Sequence, residues 1–179
     1  MKKSVIGIVH AQTNAERIVD QAQAAGVQPG DISVLMPDQS GTRDFAHEHH
    51  TKAPEGAVAG VGAGGVIGGT LGLLAGIGAL AIPGVGPLIA AGPLLAALSG
   101  AAAGATVGGV TGALIGLGIP ELEAKTYEGK LKSGNILVAV HVESDDLAKR
   151  VKAIFAENNA HDIAVTSDSS VPKEARAAH

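Results

Sequence analysis

Gly56-Ala57-Val58-Ala59-Gly60-Val61-Gly62-Ala63-Gly64-Gly65-Val66-Ile67-Gly68-Gly69-Thr70-Leu71-Gly72-Leu73-Leu74-Ala75-Gly76 opens a run that reaches Pro120 without one charged, Asn, Gln or His side chain, 65 residues in all. Glycine recurs every fourth residue in it. The first arm carries Gly56, Gly60, Gly64, Gly68, Gly72 and Gly76; the second carries Gly100, Gly104, Gly108, Gly112 and Gly116. Between the arms lie Pro83, Gly84, Gly86, Pro87, Gly92 and Pro93, so the pattern predicts two glycine-zipper helices joined by a turn near 83–93.

Glycine costs about 0.8–1 kcal/mol per residue in a helix, so a glycine-rich helix needs compensation from packing. A small-xxx-small row provides it by letting backbones approach closely. The residues between the glycines are Val, Ile, Leu and Ala, and a helix apolar all round is a membrane span or lies inside something large. The expected arms, 57–82 and 94–119, are 26 residues each. At 1.5 Å per residue that is about 39 Å, enough to cross a hydrocarbon layer of about 30 Å with tilt. Successive glycines four apart drift about 40° around the axis, so either the arms cross with right-handed geometry or the stripe meets more than one neighbour, which favours self-association.

Of 179 residues, 46% are hydrophobic and only 2% aromatic, so Ala, Gly, Val, Ile and Leu carry the apolar content. The 114 residues outside the run suffice for one small domain. A net charge of −4 offers no basic footprint for nucleic acid, and the lack of cysteine excludes disulfides and thiolate metal sites. The apolar stretch Val5–Val9 is too short for a signal-peptide core. Lys52, Lys125, Lys130 and Lys132 flank both roots of the hairpin while its turn carries no charge. That asymmetry predicts a cytoplasmic membrane location with the polar domain on the cytoplasmic side, or alternatively a cytoplasmic assembly.

The flanks repeat each other. Val5-Ile6-Gly7-Ile8-Val9-His10 corresponds to Ile136-Leu137-Val138-Ala139-Val140-His141, and Asp31-Ile32-Ser33-Val34 to Asp162-Ile163-Ala164-Val165, both at an offset of 131 residues. Helical stretches 14–25 and 145–158 lie between the strand-like runs, with Thr13 or Asn14 and Ser144 or Asp145 as candidate N-caps. Two β-α-β halves predict an α+β fold, a ferredoxin-like split β-α-β sandwich with both helices on one face and the glycine-zipper hairpin inserted. The expected organisation is residues 1–38 as the first half, 39–55 as a polar linker and 56–120 as the hairpin. A connecting helix at 121–134, the second half at 135–166 and a tail at 167–179 follow. Pro120, Glu121, Glu123, Lys130, Lys132 and Gly134 supply the start and stop signals of the connecting helix.

The order of Lys52-Ala53-Pro54-Glu55-Gly56, glycine-rich arms around Ile82-Pro83-Gly84-Val85-Gly86-Pro87, then Gly118-Ile119-Pro120-Glu121 and Tyr127-Glu128-Gly129-Lys130 resembles bacterial general-stress proteins of the YflT-like family. The resemblance covers most of the chain and implies membrane association without a defined biochemical activity. In architecture alone the chain is also similar to the small two-helix subunit of alternative complex III, a quinol-oxidising respiratory assembly.

Gly60-Val61-Gly62-Ala63-Gly64-Gly65 satisfies the G-x-G-x-x-G pattern, but no strand-like run precedes it and no acid follows until Glu121, so nucleotide binding is not expected. His47, His49 and His50, with Glu48, form a weak metal-ligand candidate that also reads as a solvated linker. His10 and His141 hold equivalent places at the ends of the first and third strands, expected to be parallel neighbours; the leading expectation is that each ends its strand at a polar boundary, and the alternative is that the two imidazoles lie close together. No catalytic constellation and no cofactor are expected. The leading expectation is therefore a non-enzymatic, self-associating membrane protein that contacts lipid and copies of itself. The alternatives are a ring, shell or filament cored by hairpins, and a scaffold subunit of a respiratory complex.

Overall fold

The computed structural model describes residues 3–38, 77–82, 85–95, 97–98, 109–116 and 118–167. They form an α+β fold. Strand β1 (Lys3–Val9) leads to helix α1 (Gln12–Ala24), a 3-10 turn (Pro29–Asp31) and β2 (Ile32–Pro37). A hairpin, β3 (Ile77–Ile82) and β4 (Gly86–Ala91), precedes helical residues 93–95 and 97–98 and helix α2 (Gly109–Gly116). Helix α3 (Glu121–Lys132), β5 (Ile136–Val142), α4 (Asp145–Glu157) and β6 (His161–Ser167) complete the described chain.

One antiparallel sheet joins the six strands in the order β3-β4-β2-β5-β1-β6. β1 runs between β5 and β6, with Val5 opposite Val140 on one side and Val165 on the other. The apolar runs Val5–Val9, Ile32–Met36 and Ile136–Val140 show no polar alternation, as strands buried on both faces require. Val5, Val9, Val34, Val138 and Val140 face one layer, where α1 and α4 supply Ile18, Val19, Val151 and Phe155. Ile6, Ile8, Leu35, Leu137 and Ala139 face the other, covered by Leu94, Leu98, Val110, Leu114, Tyr127 and Leu131. Burying an aliphatic side chain of this size stabilises by about 1.5–3 kcal/mol, so the second layer is a major part of the core.

Three expectations are corrected here. Residues 77–82 and 86–91 are strands, where the glycine period predicts the end of one helix and a turn. The short apolar runs Ile77–Ile82 and Gly86–Ala91 are read as strands because β4 supplies backbone partners to the free side of β2, from Val34↔Ala91 to Pro37↔Leu88. The second arm is not one 26-residue rod. Gly109 has φ +81° and Gly118 φ +85°, a left-handed conformation that a right-handed helix cannot run through. Short pieces fit the second face of a twisted sheet where a straight rod would leave it. Helices lie on both faces, because the apolar segment covers the side left bare by α1 and α4. Among the described residues no helix is long and apolar enough to cross a membrane.

Helix ends follow the local chemistry. Ser144 caps α4, its Oγ accepting from Leu147 N at 3.2 Å, with Asp145 and Asp146 in the first turn. The N-cap of α1 is Ala11, with no side-chain cap hydrogen bond, two residues before the expected Thr13 and three before Asn14. α3 carries Glu121 and Glu123 in its first turn and Lys130 and Lys132 in its last. It stops at Gly134, φ +90°, where Asn135 N donates to Lys130 O at 3.1 Å and Gly134 N to Leu131 O at 3.0 Å.

Candidate functional site

Two regions stand out: the β3 edge and a polar corner at the end of β1. β3 and β6 end the strand order, so among the described residues each exposes one row of backbone donors and acceptors. The two edges differ in protection. β6 starts with His161 and Asp162, ends with Thr166 and Ser167, and its pairing with β1 shifts register between Ile6 and Ile8. β3 reads Ile-Gly-Ala-Leu-Ala-Ile and pairs with β4 in unbroken register from Ile77↔Ala91 to Ile82↔Gly86. It has no lysine, proline or bulge, the usual devices that keep a sheet edge from pairing with another chain.

Two glycines make close contacts between the apolar segment and the sheet. A Cβ on Gly92, φ +76°, would lie 2.0 Å from the Ile32 carbonyl oxygen, and one on Gly78 3.0 Å from Leu95 Cδ1. Beside Gly92, the fully buried Ser33 accepts from Leu94 N at 3.2 Å, which seats the helical residues 93–95 on β2. Of the expected zipper positions, Gly112 is half-buried on α2, whereas a Cβ on Gly116 would meet nothing within 4 Å. Gly86 and Pro87 open β4, and Pro93 begins the helical stretch. Gly56, Gly60, Gly64, Gly68, Gly72, Gly76, Gly100, Gly104, Gly108, Pro83, Gly84, His47, His49 and His50 lie outside the described residues.

The polar corner forms where β1 ends and β5 and β6 begin. Asn135, buried after α3, donates from Nδ2 to Lys130 O at 2.9 Å, and its Oδ1 faces His10 Nδ1 in a hydrogen bond. The His10 and His161 rings have centroids 5.2 Å apart, tilted by 48°. Next to them Lys130 pairs with Asp162 at 3.7 Å, and the buried Tyr127 donates from its hydroxyl to Asp162 O at 2.7 Å. Burial, with Glu123 and Asp162 nearby, pushes the Tyr127 phenol well above its ordinary value, so it stays a neutral donor.

His141 belongs to the opposite end of the sheet. β1 and β5 are antiparallel, so Ser4 is opposite His141 and their side chains bond at 2.7 Å, while His10 follows Val9, the partner of Ile136. The alternative of a close His10–His141 pair is thus overturned, and the imidazole beside His10 is that of His161. Near His141, Lys3 pairs with Asp145 at 2.8 Å and holds that carboxyl below its ordinary range. On the second layer, Glu128 accepts from Thr111 N at 3.2 Å and from Thr111 Oγ1, fixing the start of α2. Burial pushes the Glu128 carboxyl up, but hydrogen bonds from Lys132 and Thr111 outweigh it and leave the group below its usual value. Among the described residues no group of three or more His, Cys, Asp or Glu side chains could hold a metal ion.

Sequence reading missed Asn135, His161, Tyr127 and Ser33. The signal for the first two was strand direction, since an all-antiparallel order sets the end of β1 beside the starts of both its neighbours. No protein family, curated protein or solved structure matches the chain.

Proposed function

We propose that the chain is a non-enzymatic, self-associating protein of the general-stress type, built on a ferredoxin-like frame. The frame is the β2-β5-β1-β6 part of the sheet with α1 and α4 on one face, and its antiparallel order is that of a split β-α-β sandwich. The observation that carries self-association is the undefended apolar edge β3. A second copy laid antiparallel against it satisfies the open backbone row and continues the sheet. The glycine-rich stretch 56–76 immediately precedes that strand in the sequence.

Membrane attachment is the second reading, favoured by one sequence observation. Residues 56–76 are 21 residues without a charge, close to the roughly 20 that a bilayer span needs. Fractionating cells with an alkaline carbonate wash, then sizing the extracted protein, separates the readings. A large particle released without detergent supports self-association alone; a carbonate-resistant oligomer supports both. A monomer in either fraction overturns the proposal.

A further inference from the structure

We propose that His10 and His161 form a two-imidazole site for a divalent transition metal of the Cu, Ni or Zn class. The first support is the fixed tautomer of His10. Because the Asn135 amide spends Nδ2 on Lys130 O, its Oδ1 is the end turned to His10, and a neutral imidazole there carries its proton on Nδ1. The lone pair is then on Nε2. Metal-bound histidines commonly donate their second ring nitrogen to a carbonyl in this way, which orients the ring and raises its basicity. Asn135 is buried and held from α3, so this support comes from the core of the domain.

The second support is spacing. A metal about 2.1 Å from each ligating nitrogen lies roughly 3.2 Å from each ring centre, and a tetrahedral angle then sets the centres about 5.2 Å apart. The His10 and His161 ring centroids are 5.2 Å apart. Both residues are exposed, so a hydrated ion reaches them directly and water completes the coordination. Lys130, whose carbonyl holds Asn135, is paired through its ammonium with Asp162, which offsets its repulsion of an incoming ion. Imidazole pairs select borderline metals over Mg or Ca, and Cu(II) is the tightest of the first-row divalent ions.

The test uses the full chain carrying His47→Ala, His49→Ala and His50→Ala, which removes the histidine cluster of the sequence as a competing ligand set, titrated with Cu2+ alone. Calorimetry should show one equivalent bound, and electron paramagnetic resonance should show coupling to two imidazole nitrogens. Adding His10→Ala or His161→Ala should each weaken binding at least tenfold and leave one coupled nitrogen. Asn135→Ala should weaken it about 10- to 100-fold with both nitrogens retained, the size expected for loss of an outer partner. Circular dichroism and melting of each variant check that the fold is kept; if Asn135→Ala unfolds, the two histidine variants still decide. Undiminished binding in His161→Ala, or no binding in the parent, overturns the proposal.

Discussion

Gly92→Ala tests how the apolar segment is seated on the sheet. Gly92 turns the chain from β4 into the helical residues 93–95 with φ +76°, where an L side chain costs about 1–2 kcal/mol. The added Cβ would also fall 2.0 Å from Ile32 O, 2.9 Å from its carbonyl carbon and 3.0 Å from Ser33 Cα. These are backbone atoms of β2, inside the sheet, and cannot swing aside as a side-chain tip would. Overpacking of this kind adds about 1–3 kcal/mol, giving about 2–5 kcal/mol in total. Against a typical domain stability of about 5–15 kcal/mol the loss is large. Gly26→Ala is the matched control: its φ is +100° and nothing lies within 4 Å, so only the conformational part applies. Urea unfolding of both variants, followed by circular dichroism, should place Gly92→Ala well below Gly26→Ala. Equal midpoints would show that residue 92 does not touch β2 and that the second layer is wrongly placed.

Two further outcomes follow from buried polar groups. Ser33→Ala removes the acceptor of Leu94 N inside the core, and the orphaned donor should cost about 1–3 kcal/mol by the same unfolding measurement. Glu128→Gln should cost about 1–2 kcal/mol at neutral pH by weakening the bonds to Thr111 and Lys132. The Glu128 carboxyl titrates below its ordinary value of 4.5 in the fold, so the unfolded chain binds the proton first and stability rises with pH in that window. Its contribution is present above about 4.5 and is lost as pH falls through the folded value, so wild type and variant should converge in acid.

Much of the frame was legible because the flanks repeat at 131 residues. The repeated strand-like runs 5–10, 31–34, 136–141 and 162–165 overlap the strands Lys3–Val9, Ile32–Pro37, Ile136–Val142 and His161–Ser167. Helix α3 was readable from its charges and Gly134, since both act locally. The apolar segment was harder to read. A four-residue glycine period argues helix, yet 77–91 is spent on a hairpin because β2 needed a partner, a tertiary demand with no local signature. One clue went unused: Val5–Val9 and Ile136–Val140 lack alternation, which says that both faces of the sheet are covered. The polar corner depends on direction as well as sequence, since only an antiparallel β1 and β6 bring His10 to His161.

Self-association through β3 is tested most directly by sedimentation velocity on the purified full chain and on Ala79→Lys/Ala81→Lys. Both positions share one face of β3 and pair with Ile89 and Pro87. Lysine on an edge strand blocks strand addition while leaving the existing hairpin register in place. The account predicts an oligomer for the wild-type chain and a clear shift toward monomer for the lysine variant with its circular dichroism unchanged. An identical oligomer from both proteins would contradict it.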